Sequence, residues 1–468
     1  MEIQRERKIV KAITKNGEEF FQYDKLILAQ GSTPVVPPIP GIENDFVFKL
    51  WTIPDMDRIH KFIEEKKPTK AVVAGGGFIG LEMAEALHAR GIKVTIVELA
   101  PQLMITMDPE FGEMIKAGIE EKGISVKINT GLSGIENKLV TLSDGSKLET
   151  DMILLSIGAR PVSALAKSAG LEMGASGGLI VDETMRTSDP DIFAAGDLVE
   201  VVNKIHGKKV RIPLAGPANR QGRIAGTNAL GGKMVYRGAL GTSVVKLFDR
   251  TAASTGLTEK IAREVGYNVG VSYVFKDNHV TYFPGGKPLA LKIVYDKKTN
   301  RLLGGQAYGE VDVEKRIDVL ATALHGKMTL EDLSEIDFAY APPYNSANDP
   351  VNIASFIGIN NISGYSPTKT PADVLEDTKH ENTLILDVRT VGEQAKAQLL
   401  DVLHIPADEI RDRLDEIPKD KILFVLSKDG FLGHTSLQIL KAEGWKDVYN
   451  IAGGYSAARW FDGWNFNN

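Results

Sequence analysis

The 468 residues contain no cysteine, which excludes disulfides, thiolate nucleophiles and thiolate metal ligands within this chain. Long apolar runs are missing too. Stretches such as MILLSIGA from Met152 fall far short of the ~20 residues that a membrane span needs, and the charged start MEIQRERK does not read as a signal peptide. A cytoplasmic protein without membrane contact is expected. Basic blocks are also absent: with 61 acidic against 55 basic side chains and a net charge of −6, the chain lacks the footprint of a nucleic-acid binder. Small molecules are the expected partners. Neither internal repeats nor low-complexity tracts occur. His206, His279, His404 and His434 have no metal-ligand spacing between them, so no metal is expected.

What is present begins with AVVAGGGFIGLEMAEALHARGIKVTIVEL, from Ala71 to Leu99. Gly75, Gly77 and Gly80 form a GxGxxG pattern between an apolar strand and an amphipathic helix. The glycines allow a tight turn, a close approach of backbone to a pyrophosphate, and close packing of helix on strand. The helix N-terminus adds free N–H groups and a positive dipole end. Glu98 closes the second strand roughly 20 residues later, where a carboxylate accepts a ribose 2′-hydroxyl and repels a 2′-phosphate. The segment therefore reads as a site for NADH in preference to NADPH. A glycine-rich turn in an ordinary α/β core is the competing reading, and the strand, helix and acid together weigh against it.

The length implies about three domains, and their order is unusual. Residues 1–35 alternate polar and apolar positions around Asn16-Gly17 and enter the strand KLILAQ, as a β-meander feeding a sheet does. The proline-rich VVPPIPGI crosses into the nicotinamide unit, which reaches the hairpin VTLSDGSKLE. MILLSIG is then expected to return to the first sheet. The resulting division is 1–45 with 150–235, an inserted unit at 46–149, an α+β domain at 236–350, and an α/β domain at 365–468 after the linker Gly364–Pro371. Two further motifs, ILAQGSTP at 27–34 and TSDPDIFAAGD at 187–197, have the form of a flavin site. The second delivers Asp197 beside Gly196, where a carboxylate bonds a polyol hydroxyl and glycine admits the cofactor.

With these residues in hand, positions 1 to about 350 resemble the two-dinucleotide-binding flavoproteins, the pyridine nucleotide-disulfide oxidoreductases. PLAGPANRQGRIAGTNALGG at 213–232, GTSVVKLFD at 241–249, TAASTGL at 251–257 and YAPPY at 340–344 are most similar to coenzyme A-disulfide reductases and the related NADH oxidases. LDVRT at 386–390, HIPADEIRDRLDEIPKDK at 404–421 and IAGGY at 451–455 resemble rhodanese, and the domain order fits the reductases that carry a rhodanese domain. The resemblance implies an α/β fold with two nested Rossmann-like domains, the FAD part incomplete, then an α+β dimerisation domain and the rhodanese-like domain. It implies FAD and NADH as cofactors, with NADPH possible, and a homodimer acting on a disulfide, persulfide or coenzyme A-type substrate. By position it assigns Gly75, Gly77, Gly80 and Glu98 to NAD, with Glu82 and Gly158 near the nicotinamide. Ala29, Gly31, Ser32, Gly196 and Asp197 fall to FAD. Tyr282 and Tyr344 are placed near the partner subunit's flavin, as proton donors or as interface residues.

Two departures qualify it. The family's first FAD glycine motif and its reactive cysteine lie ahead of the position of Met1, so a fragment of a longer protein is expected. In the rhodanese-like domain the loop that normally reads CxxGxR is SKDGFL, with Ser427, Gly430 and Leu432 at the matching positions. A serine cannot form a persulfide, and Asp429 adds negative charge to an anion-shaped loop. Sulfur transfer there is not expected, although Arg389 and Arg459 remain candidates for holding an anion. Beside the disulfide reductase stand two alternatives: an NADH oxidase that passes electrons to oxygen, and a non-catalytic NADH-binding protein.

Overall fold

The computed structural model describes residues 1–380 and 382–467, which form two compact units, 1–104 with 119–243 and 105–118 with 244–468. The first unit opens with the expected meander, Glu2–Gln4, Ile9–Thr14 and Gly17–Gln22, paired antiparallel. Leu26–Leu28 then pairs in parallel with Ile192–Ala194, so the two flavin-type motifs, far apart in the chain, lie on neighbouring strands.

The centre of this unit is a five-stranded parallel sheet in the order Val47–Lys49, Met152–Leu155, Lys70–Ala74, Lys93–Val97 and Ser125–Lys127. Past the exposed Lys70 and Lys93, its three inner strands are largely buried on both faces, as a sheet covered on both sides requires. This corrects one expectation: Met152–Leu155 does not return to the first sheet. It lies between Val47–Lys49 and Lys70–Ala74. The run MILL has no polar position to turn toward water, and the doubly covered sheet buries all four residues.

The second unit holds a five-stranded antiparallel sheet, in the order Ser243–Leu247, Arg250–Gly256, Leu302–Gly309, Pro288–Asp296 and Val269–Asp277. The helix Val313–Gly326 packs on its inner strands and Pro350–Ile362 on its edge. A second parallel sheet, in the order Thr368–Lys369, Val448–Ile451, Ile422–Leu426, Thr383–Asp387 and Leu403–His404, forms the C-terminal domain. The linker between them is pinned: the Thr368 amide donates to Asn361 Oδ1 (3.0 Å), and Gln438 and Lys441 donate to the carbonyls of Tyr365 and Gly364.

Candidate functional site

The glycine turn follows the strand Lys70–Ala74 and opens the helix Phe78–His88. Gly75 has φ +109°, and a Cβ there would stand 2.2 Å from the Ser156 carbonyl oxygen. One on Gly80 would stand 2.0 Å from the Gly75 carbonyl oxygen, so neither position admits a side chain. Gly77, the N-cap, differs: nothing lies within 4 Å of its added Cβ. The turn is therefore compact behind and open in front, the form that lets a pyrophosphate reach backbone N–H groups. Glu98 supports it, its carboxylate accepting from the Gly76 amide (2.6 Å) and the Ala100 amide (2.7 Å). A carboxylate has about four lone-pair positions, so room remains for a ribose hydroxyl. Glu82 stands exposed on the helix, and Gly158, at φ +106°, is exposed after the neighbouring strand.

The flavin-type residues converge from positions the sequence separates widely. Ser32 is buried and its hydroxyl donates to Asp197 Oδ2 (2.8 Å). Gly196, at φ +81°, donates its amide to Gln221 Oε1 (2.8 Å), a buried side chain of the helix Ala215–Ala229. Sequence reasoning did not single out Gln221; its signal is a polar residue that, like Asn228 two turns on, falls on the buried face of the helix. Ala29 is exposed, and Gly31, at φ +67°, has open space where a Cβ would be. Ser32–Pro34 pairs antiparallel with Ala159–Pro161, and the Val35 amide donates to the Gly158 carbonyl (2.9 Å). That short ladder ties the Ser32–Asp197 pair to Gly158, and Gly158 follows the strand beside the glycine turn.

In the second unit the Tyr282 and Tyr340 hydroxyls lie 3.2 Å apart, both exposed, while Tyr344 is exposed on the same loop as Tyr340. The structure thus brings Tyr340, which the sequence reading did not single out, to Tyr282. The hydrogen bond between the two hydroxyls raises the Tyr340 phenol above its ordinary value, as a bond that the Tyr340 O–H donates does. Arg316, 1% exposed, holds both tyrosine-bearing loops: it donates to the Asn278 carbonyl (3.0 Å) and to Asn345 Oδ1 (3.2 Å), and pairs with Asp349 (3.1 Å).

A second buried charge cluster, also not foreseen, surrounds Lys292. Its ammonium meets Glu110 (2.6 Å), Asp108 (2.9 Å) and Glu259 (2.9 Å), and Tyr273 donates to Glu110 (2.7 Å). Burial opposes the charge on Lys292, but the carboxylates outweigh it and hold its pKa well above the ordinary value, whereas burial lifts Glu110. The cluster anchors residues 105–118 to the antiparallel sheet.

The rhodanese-like loop is closed. Ser427 is fully buried and accepts from the Gly430 amide (3.0 Å), Asp429 accepts from the Phe431 amide (3.0 Å), and Leu432 packs on the domain's core. Arg389 corrects an expectation: it is 1% exposed and locked to Asp387 through Nε (2.9 Å) and Nη2 (2.7 Å), which removes it from an anion. Arg459 is exposed and lies over the rings of Tyr455 and Trp460. The four histidines lie apart: His279 and His404 contact the carbonyls of Val280 and Arg389, His206 accepts from the Lys208 amide, and His434 lies beside Tyr365.

Residues 1–222 match the family described as pyridine nucleotide-disulphide oxidoreductase, 242–349 its dimerisation domain, and 370–459 the rhodanese-like domain. Reduced CoADR-RHD of Bacillus anthracis is 38% identical with a TM-score of 0.95, covering 100% of this chain and 85% of that one. A NAD-dependent persulfide reductase from A. fulgidus is 36% identical with a TM-score of 0.90, covering 98% and 84%. An NADH oxidase of Methanocaldococcus jannaschii is 36% identical over 76% of this chain and 80% of its own length.

Proposed function

The chain belongs to the pyridine nucleotide-disulfide oxidoreductase family, and from that premise we propose a homodimeric, FAD-dependent oxidoreductase that passes electrons from NADH to a coenzyme A-type disulfide, persulfide or polysulfide. One observation carries this reading: the open glycine turn and the Ser32–Asp197 pair lie in one unit, joined through the Ser32–Pro34 ladder. When bound, flavin supplies the transfer between a hydride donor and the sulfur acceptor.

The chain's own residues bind and position. Gly75 and Gly80 shape the turn, Gly77 leaves room for a pyrophosphate, and Glu98 takes the ribose hydroxyls, which favours NADH over NADPH. Asp197, fixed by Ser32, accepts from a flavin polyol, while Ala29, Gly31 and Gly196 keep bulk away from the cofactor. Glu82 and Gly158 border the nicotinamide. The Tyr282–Tyr340 pair donates a proton to a leaving thiolate, with Tyr344 the second candidate. Among the described residues no helix is long and apolar enough to cross a membrane.

The absence of any thiol in these 468 residues, together with the archaeal relative's name, favours a second reading, an NADH oxidase. The deciding experiment follows NADH absorbance in the FAD-supplemented protein, without oxygen and then with it. Anaerobic NADH loss that requires coenzyme A disulfide or polysulfide supports the reductase. Loss that tracks oxygen uptake and ignores sulfur selects the oxidase. Binding of NADH without turnover leaves the non-catalytic role, and absence of NADH binding overturns all three.

A further inference from the structure

The helix Val313–Gly326 buries a face that is apolar apart from one residue, Arg316. The guanidinium divides its bonds between two loops. Nη2 donates to the Asn278 carbonyl at the foot of the Tyr282 loop, and to Asn345 Oδ1 in the loop that carries Tyr340. Each asparagine extends that hold. The Asn278 amide donates to the Lys287 carbonyl (2.9 Å) and its Oδ1 accepts from the Lys287 amide (2.9 Å), which closes the Tyr282 loop at its base. The Asn345 carbonyl accepts from the Val280 amide (3.3 Å), so the two loops are also joined through backbone.

Two features set this network apart from ordinary core. Removing an arginine and a carboxylate from water is costly, and apolar side chains of similar volume often pack as well or better. What Arg316 and Asp349 supply is therefore one fixed arrangement of the chain around them. The second feature is Asp312, which precedes the helix at φ +61° and accepts from Asn278 Nδ2 (2.8 Å). A left-handed conformation at a residue with a side chain persists only where the surroundings impose it.

We propose that Arg316 is a positioning residue: by fixing the two loops to one another it sets the hydrogen bond between the Tyr282 and Tyr340 hydroxyls. The proposal rests on the reading above, in which that pair donates a proton to the sulfur acceptor. Both phenols are exposed, and they lie 58 residues apart in the chain. One bond between exposed hydroxyls contributes too little to order two loops against their entropy. Order therefore passes from the buried guanidinium outward to the tyrosines.

The test labels the full chain with 3-fluorotyrosine and follows the ¹⁹F titration of Tyr340, identified as the resonance that Tyr340→Phe removes. In the wild type the bond to Tyr282 holds this titration above that of the free amino acid. Arg316→Met should lower it by about one pH unit. Loss of a nearby cation acts in the opposite direction, raising a phenol's pKa, so a downward shift reports the broken bond and not the missing charge. Asn345→Ala keeps the charge, removes the hold of Arg316 on the Tyr340 loop, and should lower the titration in the same way. A guanidinium that only stabilised the fold would leave the Tyr340 titration of the folded variant unchanged while the melting temperature fell, and that result overturns the proposal. If Arg316→Met fails to fold, an unchanged titration in Asn345→Ala overturns it instead. The readout needs neither cofactor nor turnover. Sulfur-dependent NADH oxidation that survives Tyr282→Phe would therefore sink the proton-donor reading without touching the role of Arg316.

Discussion

Two strand–turn–helix loops, one in each unit, share a plan and differ in what they can hold. The first follows Lys70–Ala74 and opens Phe78–His88; the second follows Ile422–Leu426 and opens Phe431–Ala442. Each strand is the middle one of a five-stranded parallel sheet, and each helix directs its first N–H groups outward. At Gly77 nothing occupies the front of the turn, and the supporting carboxylate of Glu98 takes only the Gly76 amide of the glycine loop. In the second loop, Ser427 and Asp429 take the amides of Gly430 and Phe431. A helix N-terminus offers a site when its amides are unspent; here the loop's own side chains have used two of them.

The comparison breaks most visibly at Gly77. Gly77→Val adds bulk where the fold has open space, so the melting temperature should hold while NADH affinity drops more than about 100-fold, a loss of about 2.7 kcal/mol. Titration by NADH fluorescence reads it, and an affinity within a factor of a few of wild type would remove the turn as the dinucleotide site. Glu98→Gln keeps the shape but gives up a charge-assisted bond to the Gly76 amide and the repulsion of a 2′-phosphate. Affinity for NADH should fall about tenfold, and preference over NADPH should shrink by a similar factor. An unchanged NADH/NADPH ratio would place discrimination elsewhere.

The first loop was legible because its signals are local: three glycines at fixed spacing, flanked by a strand and a helix, encode their own geometry. The Ser32–Asp197 pair joins residues that lie 165 apart, so their contact exists only once Leu26–Leu28 pairs with Ile192–Ala194. Each motif was readable, but not the bond. Met152–Leu155 was misplaced because an unbroken apolar run states only that both faces are covered, not by which sheet. The Tyr282–Tyr340 bond was not legible because loop conformation decides which hydroxyl reaches Tyr282. The Lys292 and Arg316 clusters leave no sequence trace, since each draws its partners from several elements and a buried lysine reads like a surface one.

On the closed loop the effects are smaller and fall on stability. Ser427→Ala leaves the Gly430 amide without its acceptor inside a buried turn, which should cost about 1 kcal/mol. Thermal unfolding should show it as a drop of a few degrees, with NADH affinity unchanged. A variant as stable as wild type would mean that water replaces the hydroxyl and that the loop's amides are less fully spent than the geometry indicates.

The smallest effect tests whether the closed loop's surroundings respond to pH. Burial holds the His434 pKa below its ordinary value, so between that lowered value and about 6.5 the unfolded chain binds more protons than the folded one. Stability therefore rises with pH through that window and is lost as pH falls through it. His434→Phe keeps an aromatic ring beside Tyr365, whose centroid lies 5.8 Å from the imidazole, and removes the titration. Its melting temperature should fall less than that of wild type between pH 7.5 and 5, by about 1 °C. Identical slopes would mean that the imidazole takes up its proton as readily in the folded chain as in the unfolded one, so that burial at this position does not hold back its charge.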